Sequence, residues 1–576
     1  MQPPIPTDPT SPDGLARVEA TIEGTGAALP AAPPRRGRKA VVIAVASVVG
    51  LAGFAAAASF MALRGSGESL ASKIPADTDV VVTAYLDPAA SQKVNLFRLT
   101  SAFPSLGGES EVTGRAGDFV DSALSQIGLT HSDLDWVGSQ VALTVDVGSG
   151  TDPKMAILID TTDEAAAEAS LATARNGQAF GSWDWTQEDR GGVQAWVARS
   201  PSSSATMGIV DSTVVLATDP GTFDAIVAAS GGGAPALADD QNFADTMAGL
   251  PQARLGMVYV APRDLLSALD RVAGAGAPEL GTAAGVDIGA IRGIGVTLAA
   301  EPDAMAIDTE VTLDPSLLSP EQLAALGAGD HQNALLSAVP ADALAFIGLE
   351  HLDTGIETAL ADLPSDQRDA LDQSGIEPAI RSLTGDMAIE ISMPGGSSPP
   401  VGALMVSTDD ADAMRAAFEL AGQALSSDSP TVDPTALLGF DPGGDNAPRW
   451  ETVDHDGVTV SFLPGDGGST GLRPAYAIFD GTAVIASSEG EAFRIIDAAH
   501  GAPNTMDVER VSSALADVSD SEDVMYVDLA GILGAVADTG AMSPGVRDDL
   551  EALQTLVIGS QSDTGHQHAR VVLRIG

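Results

Sequence analysis

The sequence predicts an α+β fold made of two tandem homologous repeats behind one transmembrane helix. Each repeat is predicted to be a mainly antiparallel sheet with helices packed on one face. Three observations lead to this prediction. An uncharged apolar run extends from Ala40 to Leu63. Strand patterns joined by tight turns alternate with helical patterns, and the same ordered series of motifs then occurs twice.

The apolar run from Ala40 to Leu63 is the predicted transmembrane helix. At about 1.5 Å per residue it spans roughly 36 Å, enough to cross a hydrocarbon core of roughly 30 Å. A basic cluster at residues 35–39 (RRGRK) precedes the run, whereas Arg64 is the one basic residue directly after it. This asymmetry predicts a single-pass cell-membrane protein with a cytoplasmic N terminus and an extracytoplasmic C-terminal body.

Two other interpretations of this segment stay open. The small residues Ala56, Ala57 and Ala58 fit a signal-peptide cleavage site, although the run is longer than a usual signal core. The pair Arg35 and Arg36 fits a twin-arginine signal, but the residues that follow it are not apolar. We therefore favour an uncleaved anchor, in which residues 40–63 attach the protein to the membrane.

The anchor divides the chain into regions of different composition. Residues 1–39 are rich in Pro, Ala, Thr and Gly without apolar periodicity, so we predict a disordered cytoplasmic tail. Residues 64–73 form a short linker, and residues 74–334 and 335–576 form the two repeats. The chain has no cysteine, which excludes disulfides, thiolate metal sites and lipid anchors attached through cysteine.

The body is strongly acidic, because the chain has 79 acidic against 28 basic side chains and a net charge of −51. Such a surface repels phosphate groups, so nucleic acid is not an expected partner. A highly solvated surface is the simplest interpretation, with divalent cations as an alternative partner. The acidic cluster from Asp517 to Asp523 lacks the ligand spacing of an EF-hand.

Six ordered matches relate the two repeats. In chain order they pair residues 74–77 with 339–342, 141–145 with 387–391, 157–165 with 404–411, 185–193 with 450–458, 211–215 with 480–484, and 257–260 with 524–527. The second repeat carries an extra loop from Ser426 to Pro448. The boundary between the repeats is predicted to lie between Gly329 and Ala334.

The elements of one repeat can be predicted from periodicity and turn residues. Thr162 is the predicted N-cap of a helix, because the acidic residues Asp163 and Glu164 follow it. In chain order the first repeat is predicted to contain a strand from Val80, a helix over 119–127, strands over 141–147 and 155–159, that capped helix, a hairpin turning at 190–192, a strand pair around Asp211, a helix over 221–229, a strand over 255–260 and a hairpin over 294–313.

The beginning of the first repeat resembles the Domain of Unknown Function 3352 family of membrane-anchored bacterial envelope proteins. The motifs that carry the resemblance are IPADT at residues 74–78, Asp87 with Pro88, and Gln92 with Lys93, all behind a single anchor. The resemblance extends from about Leu70 to the C terminus and implies a membrane-anchored extracytoplasmic protein with no assigned reaction. The second repeat lacks the Gln-Lys pair, so any role of Gln92 and Lys93 belongs to the first repeat alone.

No pattern in the sequence predicts catalytic chemistry. Residues 467–471 (GGSTG) fit G-x-S-x-G, but the strand before and the helix after a nucleophile elbow are missing. No glycine fingerprint for a nucleotide follows a strand and opens a helix. We therefore predict no catalytic residue and no cofactor.

Two pairs of residues are weak candidates for metal ligands. His566 and His568 lie two apart on the terminal strand, so both face the same side and could hold Zn²⁺ if a third ligand joined them. Asp454 and Asp456 flank a histidine in a turn, but the matching turn at residues 189–192 has no ligand set. We therefore predict no metal site at either place.

Three functional hypotheses follow. The leading one is a non-catalytic envelope protein that binds another envelope protein, a lipid or a cell-wall component. The second is an extracytoplasmic hydrolase, which would require two carboxylates in one apolar cleft with opposed pKa shifts. The third is a cation-responsive module that uses the acidic surface.

Overall fold

The computed structural model describes residues 70–103, 135–147, 153–176, 183–199, 204–262, 288–326, 333–361, 363–393, 400–425, 450–463, 473–537 and 550–576. Within these residues one antiparallel sheet of twenty strands runs through the protein. We refer to residues 70–326 as the first half and to residues 333–576 as the second half. The predicted α+β class with a mainly antiparallel sheet is confirmed.

The strands of the first half have apolar residues at alternate or consecutive positions, as expected for strands covered by helices. They are β1 (Val80–Tyr85), β2 (Val137–Asp146), β3 (Lys154–Thr161), β4 (Trp185–Arg190), β5 (Val193–Arg199), β6 (Ser204–Val210), β7 (Thr213–Ala217), β8 (Gly256–Val260), β9 (Ile291–Ala300) and β10 (Ala304–Leu313).

The strands of the second half follow in the same manner. They are β11 (Ala343–Leu349), β12 (Leu383–Ser392), β13 (Val401–Thr408), β14 (Glu451–His455), β15 (Val458–Phe462), β16 (Ala475–Phe479), β17 (Thr482–Ala486), β18 (Asp523–Asp528), β19 (Leu553–Ser562) and β20 (His566–Ile575).

The described helices connect these strands. They are α1 (Ala90–Ser101), α2 (Glu164–Asn176), α3 (Pro220–Ser230), α4 (Gln241–Ala248), α5 (Pro320–Leu326), α6 (Leu352–Ala361), α7 (Ser365–Ser374), α8 (Glu377–Arg381), α9 (Ala411–Leu425), α10 (Glu489–Ala499), α11 (Glu509–Ala516) and α12 (Leu529–Ala537). Short 3-10 helices occur at Leu70–Ser72, Leu237–Asp239, Ile288–Ala290, Pro315–Leu317, Ala334–Ala338 and Thr505–Asp507.

The strands pair in the same spatial order in both halves. The first half has the order β4-β5-β6-β7-β3-β2-β1-β8-β9-β10. The second half has the order β14-β15-β16-β17-β13-β12-β11-β18-β19-β20. The last strands of the two halves, β10 and β20, pair with each other and make the sheet continuous.

Helices cover both faces of the sheet, so the expectation that they pack on one face is wrong. In the first half, Phe223 and Ile226 of α3 pack with Leu158 and Val215 on one face. Leu171 of α2 packs with Val214 and other residues on the opposite face. The second half divides its helices in the same way, with α10 on one face and α9 on the other. The reason is that many strands are apolar on both faces, so each face needs a cover.

Most elements predicted for the first repeat occur within one to four residues of their expected bounds. The hairpin turn at Gly191 and Gly192 is present, and both glycines have positive φ. The predicted cap is wrong by one residue: Asp163 accepts the Ala166 amide at 3.0 Å, whereas the Thr162 hydroxyl donates to the Trp136 carbonyl. The helix predicted over 119–127 lies outside the described residues.

The predicted anchor from Ala40 to Leu63 also lies outside the described residues. None of the helices that are described has both the length and the apolar character needed to span a membrane.

Candidate functional site

The pairing of β10 with β20 brings the two candidate histidines into contact with acidic residues of the first half. His568 lies directly opposite Glu310, and His566 lies opposite Thr312, one step further along the same face. Asp308 and Glu310 are buried, with exposures of 1% and 3%. We call this arrangement the seam.

The seam contains a ladder of ion pairs. Nδ1 of His566 lies 2.7 Å from Oε1 of Glu310, and Nδ1 of His568 lies 3.3 Å from Oε2 of the same carboxylate. Nε2 of His568 is 3.6 Å from Oδ1 of Asp308. Nη1 of Arg570 donates to that Asp308 oxygen at 2.8 Å, and its other terminal nitrogen pairs with Glu301. Two strands therefore supply acidic groups from one side and basic groups from the other.

Hydrogen bonds from His568 to Asp308 and then to Glu310 raise the pKa of this imidazole to about 9. At neutral pH His568 is therefore a cation that balances two buried carboxylates. Glu310 is the third ligand that a zinc site would need, yet among the described residues no group of three His, Asp or Glu side chains has a geometry suited to a metal ion. His568 is thus an ion-pair partner of the acidic groups on β10.

Asp454 and Asp456 lie in the turn between β14 and β15. The Asp454 carboxylate accepts the Gly457 amide at 3.3 Å, as Asp189 accepts the Gly192 amide at 3.0 Å in the matching turn of the first half. Asp456 has a φ of +52°, and its carboxylate contacts His500 at 2.8 Å. Both residues therefore have roles in forming and anchoring the turn.

The acidic cluster from Asp517 to Asp523 is divided among different partners. The Asp517 carboxylate accepts Nε and Nη2 of Arg574 at 2.8 and 2.9 Å. The Asp523 carboxylate accepts the Glu350 amide at 3.0 Å. Asp517 is therefore tied to β20 and Asp523 to the backbone that follows β11.

Gln92 and Lys93 have structural contacts in the first half. The buried Gln92 side chain accepts the Ala300 amide at 2.7 Å, which ties α1 to the end of β9. Lys93 forms an ion pair with the buried carboxylate of Asp87. The motif that carries the family resemblance therefore fixes α1 on the sheet. The motif at residues 467–471 lies outside the described residues.

A pair of buried glutamates in the second half is a site that the sequence analysis missed. Glu390 of β12 and Glu491 of α10 are 1% and 2% exposed. Oε2 of Glu390 accepts the Ser392 hydroxyl at 2.7 Å, and Oε2 of Glu491 accepts Nη1 of Arg494 at 2.7 Å. Oε1 of each glutamate has no hydrogen-bond partner.

Burial, and then the charge of Glu491, raise the pKa of Glu390 to about 8. Burial also raises the pKa of Glu491. A proton on Glu390 at neutral pH removes the charge repulsion between the two enclosed carboxyl groups. The two shifts have the same direction and the pair is enclosed, so it does not meet the requirement for a hydrolase acid and base.

Strand periodicity contained a signal for Glu390. This residue has the same parity in β12 as Ala388 and Ser392, which are completely buried. A carboxylate at that position was therefore predictable as an inward-facing group. Its partner Glu491, about a hundred residues further along the chain, was not predictable from the sequence pattern.

Large exposed aliphatic side chains occur in the same region of the sheet in both halves. In the first half, Leu143, Met155 and Ile157 are 38%, 39% and 39% exposed. Leu143 lies directly opposite Ile157, and Met155 lies opposite Val145. We call these three residues the first patch. They lie between strands covered by α1 and strands covered by α2.

In the second half, Ile391 and Ile485 are 50% and 43% exposed, and we call them the second patch. Ile485 lies opposite Leu404, which in turn lies opposite Ile389. By strand order, β12 matches β2 and β17 matches β7. The two patches therefore lie on corresponding parts of the two halves.

The chain was compared with curated proteins and with solved structures. No curated protein matches the chain. Three crystal forms of TP0453 are similar to 45%, 44% and 43% of this chain and to 84%, 83% and 80% of that one, with identities of 9%, 11% and 8% and TM-scores of 0.24, 0.23 and 0.20. Similarity at this level supports no inference about fold or function.

The family comparison is stronger. The sequence model described as protein of unknown function DUF3352 matches residues 40–434, which is well over half of the chain. The match begins at the predicted anchor, earlier than the expected Leu70, and ends within the second half rather than at the C terminus. This chain belongs to the DUF3352 family of proteins of unknown function.

Proposed function

We propose that this protein is a membrane-anchored, non-catalytic envelope protein that binds the acyl chains of lipids on the two aliphatic patches of its extracytoplasmic body. The observation that carries the proposal is the occurrence of exposed aliphatic side chains in corresponding cross-strand rows of both halves. A single exposed leucine or isoleucine is ordinary on a protein surface, whereas a repeated group on strands is typical of a binding surface.

The chemistry of the first patch fits a hydrocarbon chain. A row of cross-strand neighbours passes through it and consists of Val82, Leu143, Ile157 and Leu216. With about 4.8 Å between neighbouring strands, this row is roughly 14 Å long. The row offers no hydrogen-bonding side chain that could recognise a polar ligand, so an extended acyl chain is the occupant that suits it.

The predicted anchor supports a lipid as the source of that chain. Six residues separate Leu63 from Leu70, where the described body begins, and seven residue steps span at most roughly 25 Å. The body would therefore be held close to the bilayer surface. The net charge of −51 disfavours anionic headgroups, so neutral lipids are the preferred class.

The proposal includes a duplication of the extracytoplasmic body. We infer that the halves are tandem copies of one unit, an inference supported by the six sequence matches and by the identical order of strand pairing. Each copy would then carry one binding patch.

The test compares lipid binding by the full-length protein and by patch variants. Leu143→Ser with Ile157→Ser changes the first patch, Ile391→Ser with Ile485→Ser changes the second, and Leu317→Ser is a control at an exposed leucine elsewhere. We expect each double variant to lose part of the binding of pyrene-labelled diacylglycerol. The variant that combines all four substitutions should retain only the binding that is due to the membrane anchor. Unchanged binding by the combined variant, or release of free fatty acid, would contradict the proposal.

A further inference from the structure

The seam between the halves joins equivalent strands. Tyr259 of β8 and Tyr526 of β18 are equivalent residues of the two halves. Tyr259 lies opposite Gly295, which lies opposite Glu310 of β10, and Tyr526 lies opposite Val557, which lies opposite Val572 of β20. Glu310 and Val572 are therefore equivalent. Two residues earlier, Asp308 therefore matches Arg570. Asp308 and Arg570 also lie directly opposite each other in the sheet.

The register of the seam is symmetric about this pair. Ala304 pairs with Arg574 at one end, and Thr312 pairs with His566 at the other. Ala304 is equivalent to His566, and Thr312 is equivalent to Arg574. Exchanging the two halves therefore converts the pair of Ala304 with Arg574 into the pair of His566 with Thr312. This is the arrangement of an isologous dimer interface, in which the same surface of two subunits meets itself around a two-fold axis.

Charge breaks this symmetry. Every charged residue of β10 and of the turn before it is acidic, namely Asp308, Glu310, Glu301 and Asp303. Every charged or titratable residue of β20 is basic, namely His566, His568, Arg570 and Arg574. Pairing β10 with a second β10 in the same register would place Asp308 against Asp308, and pairing two β20 strands would place Arg570 against Arg570.

We infer that the seam charges select the partner of each edge strand, so that β10 accepts β20 of the same chain and rejects the equivalent strand of another molecule. Without that selection, two exposed edges built for isologous pairing would join chains to one another. The buried carboxylates of Asp308 and Glu310 make the selection strong, because a buried charge without a partner is costly. The inference does not depend on the proposed lipid binding.

The test uses the full-length protein with a thrombin site inserted between Leu326 and Asn333. After cleavage, native mass spectrometry and gel filtration report whether the two fragments stay together. We expect the cut wild-type protein to remain a one-to-one complex. Asp308→Arg or Arg570→Asp alone should weaken that complex at least tenfold, and the two reversals combined should restore it.

The neutral pair Asp308→Asn and Arg570→Gln provides a second cycle if a reversal prevents cooperative melting of the uncut protein. Each neutral variant alone should weaken the complex, and both together should restore association while allowing like fragments to pair. Glu188→Arg is the control, because the pair of Glu188 with Arg199 lies within the first half. Single seam variants that match the wild type, or combined variants no better than the single ones, would overturn the inference.

Discussion

Individual buried acids show how much the second half differs from the first. Glu390 and Glu491 occupy a core in which Ala388, Met405 and Ile495 are fully buried. The matching positions of the first half are Thr144 and Thr222 by the sequence alignment. A hydroxyl satisfies its hydrogen bonds locally, whereas two enclosed carboxyl groups place two charges in the core when neither is protonated. The pair is therefore a source of pH-dependent stability.

The pKa of Glu390 predicts the direction of that dependence. Its folded value, about 8, lies above the ordinary value of 4.5, so the folded chain holds a proton that the unfolded chain releases. The contribution to stability is complete below about pH 4.5 and is lost as the pH rises through about 8. Glu390→Gln does not titrate, so its free energy of unfolding relative to wild type should increase across that range.

Urea unfolding of the wild type and of Glu390→Gln at intervals between pH 5 and pH 9 measures this difference. The exposed Glu451→Gln is the control and should show a constant difference from the wild type. A Glu390→Gln profile parallel to the wild-type profile would contradict the assignment of a bound proton to Glu390 in the folded protein.

At the scale of elements, the two halves pack an equivalent helix on an equivalent strand, but the larger side chains are on the helix in one half and on the strand in the other. Helix α4 packs on β9, where the ideal Cβ of an alanine at Gly295 would lie 2.7 Å from Leu250 and 2.9 Å from Thr246. In the second half, Val557 occupies the position that matches Gly295, and the small Ala514 of α11 matches Thr246. Bulk on the helix in one half is therefore replaced by bulk on the strand in the other.

Gly295→Ala should consequently destabilise the protein by about 1–3 kcal/mol, because the added methyl group would push α4 away from the sheet. Gly355→Ala in α6 is the matched control, since nothing lies within 4 Å of its ideal Cβ. That control should be neutral or stabilising by up to about 1 kcal/mol. Thermal unfolding followed by circular dichroism distinguishes the two, and equal melting temperatures would show that α4 adjusts freely.

At the scale of the whole molecule, the seam makes one sheet out of two halves. Its histidine predicts a second pH effect. The pKa of His568 is about 9 in the folded protein against an ordinary 6.5, because it bonds to Asp308 and Glu310. The stabilisation by the protonated ring is therefore complete below about pH 6.5 and is lost as the pH rises through about 9.

The variant His568→Gln tests this effect best in a Glu390→Gln background, where the buried glutamate no longer titrates in the same range. The loss of melting temperature caused by His568→Gln should be largest near pH 6 and should shrink toward pH 9. Gln567→Asn on the opposite face of β20 is the control. A loss that stays constant with pH would mean that His568 contributes by packing and not by charge.

Much of the fold was predictable because its signals are local. Alternating apolar residues marked β2 and β3, glycines marked the turn after Arg190, and repeated motifs placed matching strands in both halves. The site was less predictable. His566 and His568 were recognised as a pair on one face, but their acidic partners lie more than 250 residues away in the chain.

The sequence by itself therefore determined the order of most elements in the first half and the turn after Arg190, since these depend on neighbours a few residues apart. The tertiary structure decided that β10 pairs with β20, that Glu390 meets Glu491 and that helices cover both faces. Periodicity indicates which side of a strand is buried, but it does not indicate which other strand or helix lies there. That choice depends on contacts between residues far apart in the chain, and local sequence patterns carry no record of them.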